Sequence, residues 1–172
     1  MGNLAEKPTI NYSGNLIDGI DVIVKSSVNF TDIDRRLNLP YLAKVYIFDE
    51  DFKQDRIIPF IYSNFLIQQI QQTTDESGET DDFIFSTSKY LVDYGSSKNL
   101  SFTFNLTSSI LLGSGAINER VIEALQDDND LLSAHLELRA YIVLSNELNG
   151  ILISESNLIT VPIASGVHQR LG

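Results

Sequence analysis

Leu100-Ser101-Phe102-Thr103-Phe104-Asn105-Leu106-Thr107 alternates apolar and polar residues without a break. Leu100, Phe102, Phe104 and Leu106 share one face, and Ser101, Thr103, Asn105 and Thr107 share the other. A period of two marks a strand with one buried and one wet face. A strand of this kind belongs to an antiparallel sheet rather than to a parallel sheet covered on both sides.

Upstream of this strand, Phe83-Ile84-Phe85-Ser86 starts another, and Asp93-Tyr94-Gly95-Ser96-Ser97 turns the chain between the two. Residues 73–82 read as a loop. Residues 56–72 are ambiguous: Pro59 interrupts the first apolar run, and Phe65–Ile70 fits either a continuing strand, the preferred reading, or one helical turn. Pro40 opens a strand over Tyr41–Phe48, at a position where a missing N–H costs the ladder nothing. Asp32-Ile33-Asp34-Arg35-Arg36 reads as a polar connection, and Ile20–Lys25 as the first strong strand. Pro8, Gly14, Asn15 and Gly19 make residues 1–19 look irregular.

Downstream, Ile110-Leu111-Leu112 continues as strand into the Gly113-Ser114-Gly115 turn. Ile117, Val121, Ile122 and Leu125 then share a helical face, predicting one helix over 116–126. Asp127-Asp128-Asn129-Asp130 ends it, because acid at a helix C-terminus opposes the dipole. Leu136, Leu138, Ala140 and Ile142 alternate with polar neighbours and Tyr141. Asn149-Gly150 signals a hairpin leading into Ile151-Leu152-Ile153, and Leu158–Val161 forms a further strand.

The pattern predicts an all-β fold: an antiparallel two-sheet β-sandwich, immunoglobulin-like or jelly-roll, with one short helix. A barrel is the nearest alternative. The expected organisation is an N-terminal arm or leading loop over 1–19, a sandwich domain over 20–164 and a C-terminal tail over 165–172.

Composition narrows the function classes. The 172 residues carry a formal charge of −11. Such a surface repels nucleic-acid phosphates and anionic headgroups, and Arg35-Arg36 is the densest basic spot. Cysteine is absent, which removes disulfides, thiolate zinc sites and cysteine nucleophiles. No apolar run is long enough to span a bilayer. The first residues lack a signal-peptide pattern, and Glu6 stands where a myristoylation motif wants Ser or Thr. The expected location is cytoplasmic or assembly-associated rather than Sec-secreted. Without an export signal, the sequons at Asn11, Asn29, Asn99 and Asn105 carry little weight.

Four stretches invite a chemical reading. Gly113-Ser114-Gly115-Ala116-Ile117-Asn118 partly matches a dinucleotide-binding turn, but Asn118 replaces the last glycine and no second β-α unit follows. It reads as a strand-to-helix turn. His135 and His168 are the only histidines. With no G-x-S-x-G elbow and no paired histidine spacing, they read as surface or rim residues.

The acidic turn Asp49-Glu50-Asp51-Phe52-Lys53-Gln54-Asp55 is the best metal candidate. Asp49, Asp51 and Asp55 offer several carboxylate oxygens from one loop, as Ca²⁺ requires. Leu39-Pro40-Tyr41-Leu42-Ala43-Lys44-Val45 and Asp49-Glu50-Asp51 together resemble C2 domains, sandwiches whose Asp-x-Asp loop binds Ca²⁺ and lipid. The likeness covers under a tenth of the chain, and the two pieces sit closer together than in the C2 order. The competing reading is a solvated hairpin tip. The acidic stretches 75–82 and 127–130 lack the EF-hand glycine and glutamate positions.

The fourth stretch is apolar with little alternation: Ile57, Ile58, Phe60, Tyr62 and Phe65. It suits a strand buried on both faces or one that meets another subunit. The reading that follows is a non-enzymatic structural or interaction subunit that packs against copies of itself or another protein and needs no cofactor. The rival is a Ca²⁺-dependent ligand- or membrane-binding sandwich. A hydrolase acting through His135 or a carboxylate pair is a third option.

Overall fold

The computed structural model describes residues 2–50, 83–92, 94–128, 134–148 and 150–163. The strands are β1 (Asn3–Leu4), β2 (Thr9–Asn15), β3 (Gly19–Asn29), β4 (Tyr41–Asp49), β5 (Phe83–Leu91), β6 (Ser97–Leu106), β7 (His135–Asn146) and β8 (Gly150–Pro162). Helices α1 (Asp32–Leu37), α2 (Ser108–Gly113) and α3 (Ala116–Glu123) lie in the connections, and a π turn, Ala124–Asp128, extends α3. No described helix is long and apolar enough to cross a membrane.

In one sheet β3 lies between β6 on one side and β1 and β2 on the other; the second sheet runs β5-β4-β7-β8. Every pairing is antiparallel. Setting the short β1 aside, the first, second and fifth strands make one sheet and the rest make the other. That division is immunoglobulin-like, with the fourth strand moved beside the third.

The core follows from alternation. Leu100, Phe102 and Leu106 are buried, as the opening stretch predicts, and they oppose Ser26, Val24 and Ile20 of β3. They meet Ala43, Val45, Ile47, Leu138, Ala140 and Ile142 of the other sheet in one cluster. The end of β4 and the middle of β7 are apolar on both faces. Their outer faces bury a second cluster of Tyr46, Phe48, Tyr141 and Val143, with Phe83, Ile151 and Ile153 against it. Burial, with Glu50 and Glu155 nearby, pushes the Tyr141 phenol up.

Side chains fasten both open sides of the sandwich. On one side β8 carries an extra residue: Arg139 pairs with Leu158 and Tyr141 with Glu155, leaving Ser156 and Asn157 opposite Ala140. Ser156 Oγ accepts the Ala140 N–H at 2.9 Å. The bulge re-aims Asn157 across the gap, where its amide accepts from Ile10 N–H at 2.9 Å and donates to Ile10 C=O at 3.2 Å. Asn157 thus imitates a neighbouring strand for one residue of β2. On the other side Lys89 of β5 donates to the Ser101 carbonyl of β6 and lies 4.4 Å over the Phe102 ring centroid. The Phe85 and Phe104 rings pack beside it, tilted, with centroids 4.8 Å apart.

A polar knot anchors α1. Thr31 caps the helix, and Asp34 closes a capping box with it. The Asp34 carboxylate also accepts from the Tyr41 hydroxyl at 2.6 Å, and that hydroxyl accepts the Gly2 N–H at 3.0 Å. A Cβ on Gly2 would come within 3.1 Å of the Asn29 carbonyl, a close approach that any larger residue could make only by shifting its neighbour by a few tenths of an ångström. The Tyr94 hydroxyl sits 2.8 Å from Leu39 C=O and 3.1 Å from Asp34 C=O, and its ring stacks on Phe30.

The sequence reading needs correction in five places. The arm expected over 1–19 contains β2, which pairs along Thr9–Asn15 with β3. The polar connection at 32–36 is helical, because Thr31 and Asp34 cap it. Residues 108–113 form a helix rather than strand, with Thr107 accepting from Ile110 N–H. The last two expected strands are one continuous β8, bent by its bulge. Helix α3 lies where one was expected, but it buries Ala116 and Ala124, not Ile122 and Leu125, which are exposed. Residues 57–65, with the expected interface Ile57, Ile58, Phe60, Tyr62 and Phe65, lie outside the described residues, as do the loop at 73–82 and the tail.

Asp34 generates a pH prediction. Burial pushes its carboxyl up, but hydrogen bonds from Thr31 and Tyr41 outweigh this and hold it below its ordinary 3.8. A folded value below the unfolded one stabilises the protein above the unfolded value, and this contribution disappears as pH falls through the folded value. Asp34→Asn is expected to lower stability at neutral pH by about 2 kcal/mol, the scale of hydrogen bonds to a charged group. It should also flatten the acid limb below about pH 4. Urea unfolding of both proteins at several pH values checks this.

Candidate functional site

The described residues gather their densest set of ionisable groups where β4 ends. Strand alternation turns Asp49 toward the sandwich interior and Glu50 toward the outer face of the second sheet. Both are buried, at 3% and 7% exposure. A carboxylate can leave water this completely only when charge and hydrogen bonds replace the lost hydration.

Arg120 supplies both to Asp49. Its Nε donates to Oδ2 at 2.8 Å and its Nη2 to Oδ1 at 3.1 Å, a two-point grip that suits a planar guanidinium. The Glu137 N–H adds a bond to Oδ1 at 2.7 Å, and Arg120 Nη2 also reaches the Glu50 carbonyl at 3.2 Å. Arg120 lies on α3 at four residues from Ala116 and four from Ala124, so small buried side chains flank it on the face toward the sandwich. That face lets the helix come close enough for the guanidinium to reach Asp49.

Arg139 of β7 performs the same task for Glu50, pairing through Nε and donating from Nη1 to Ser156 C=O at 2.7 Å. The Glu50 N–H donates to Glu137 C=O at 2.7 Å, extending the β4–β7 ladder past the end of the strand. The Glu137 carboxylate lies between His135 Nε2, at 3.2 Å from Oε1, and Arg120 Nη2, at 3.9 Å from Oε2. His135 and Glu137 are half-buried at the rim.

The acidic turn is therefore not a solvated tip at its first two positions. Asp49 binds Arg120 and a backbone amide; Asp51 and Asp55, its partners in the expected Ca²⁺ site, lie outside the described residues. His135 occupies the rim position expected of it, and His168 is outside the described residues. Among the described residues, no three His, Asp or Glu side chains come together as a metal site. The glycine turn sits between α2 and α3, with Gly115 at φ +83 before α3. It lacks the strand that a phosphate-cradling turn would follow.

Sequence reading missed the two arginines. Arg120 stands on the polar side of an apparent amphipathic helix and Arg139 in an ordinary alternation. The available signal was negative: an acidic pair directly after a strand that is apolar but for Lys44 must be compensated, and basic residues are scarce in the second half of the chain.

No family model matches the chain, and no curated protein matches it. Among solved structures it is similar to a glycosyl hydrolase family 2 member from Bacteroides cellulosilyticus. That structure has 9% identity and a TM-score of 0.46 over 93% of this chain and 15% of that chain. Another structure of a glycosyl hydrolase family 2 member from Bacteroides cellulosilyticus has 9% identity and a TM-score of 0.45 over 91% of this chain and 14% of that chain. A protein from Archaeoglobus fulgidus is similar at 9% identity and a TM-score of 0.41, over 92% of this chain and 98% of that one. The chain thus spans about a seventh of the length of the first two, and likenesses this distant transfer no activity to it.

Arg120→Ala strands a buried carboxylate, so it is expected to destabilise the protein by about 3–5 kcal/mol. Removing both charges as Asp49→Leu with Arg120→Met should recover most of that loss. Denaturant midpoints of the single and double variants check this, and a single-variant loss below about 1 kcal/mol, the surface-pair range, would rule out the anchoring role.

Proposed function

We propose that this chain is a non-catalytic interaction subunit, a β-sandwich that works by packing one of its loop ends against protein, either copies of itself or another chain. The observation that carries the reading is the distribution of exposed apolar side chains. Ile33, Leu37, Tyr90, Val92 and Leu148 are all at least half exposed. Topology puts them at one end, where β3 leads into α1, β5 finishes and β7 turns into β8. Tyr94 joins two of these segments through its bond to Asp34 C=O, so Val92 lies two residues from a direct contact with α1. Exposed apolar side chains gathered at one end support a contact surface there.

The charged cluster fits the same reading. Its acids are held by arginines and a backbone amide that tie α3, β4 and β7 together, which is the work of a structural joint.

Sedimentation at micromolar concentration, alone and with candidate partner proteins, tests the proposal. Association that is lost in Leu37→Asp with Tyr90→Asp is the expected result. Association that these changes leave intact, or none with any protein, would refute it.

The rival reading, a Ca²⁺-dependent module, requires Asp49 to exchange Arg120 for a cation or to share its oxygens with one. The expected result is a melting midpoint that is the same in millimolar Ca²⁺ and in chelator. Binding to the folded state raises the midpoint, so a clear rise would favour the rival.

A further inference from the structure

We draw no further inference here: the strongest candidate, the half-exposed apolar patch of Leu112, Ile122 and Leu125 on the helices between β6 and β7, carries nothing, because nothing in the structure shows what covers it.

Discussion

The interior of this protein depends on neutralising two adjacent carboxylates. Asp49 and Glu50 continue a strand that is apolar on both faces, so the sheet carries them out of water as it forms. Neither can remain ionised there without a cation close by. The solutions are different in kind. Arg139 reaches Glu50 from the neighbouring strand, and the ladder that pairs β4 with β7 sets its position. Arg120 reaches Asp49 from a helix more than seventy residues away in sequence, so the pair fixes a long connection that few backbone bonds hold. Packing of Ala116, Ile117 and Leu111 against the core and the grip on Asp49 cooperate, because each brings the other's partners into range.

The opposite end of the sandwich relies on hydrogen bonds around one acid rather than on ion pairs. Asp34 collects Thr31 and Tyr41, and Tyr41 in turn holds Gly2. The hydroxyl of Tyr94 meets the backbone on either side. Four separate segments converge on this knot, which fixes the backbone of α1 against the sandwich. A backbone anchored in this way presents Ile33 and Leu37 from a fixed position, and fixing a segment beforehand lowers the entropy that any contact through it must overcome.

Much of the architecture can be read locally. The alternation at 100–106, the apolar run at 41–48 and the pattern at 136–142 each expose their period within a few residues, and together they specify two antiparallel layers. Strand β2 hides because Thr9–Asn15 buries only Ile10 fully, and its order comes from pairing with β3 and from Asn157. The bulge in β8 disguises one strand as two, since Ser156 and Asn157 look like turn residues until their partners Ala140 and Ile10 are known. Helix α3 misleads in the other direction: its apolar stripe suggests one buried face, while Arg120 selects another. The acidic turn was legible as a place needing compensation. Its partners were not, because a sequence lists charges without saying which of them meet.

The sides of the sandwich have one further consequence. An open sheet edge invites another strand to add itself, and proteins commonly blunt such edges with an inward lysine or a bulge. Lys89 and the bulge carrying Asn157 are devices of that type, and each also ties one sheet to the other. Sheets finished in this manner resist merging with those of a neighbour.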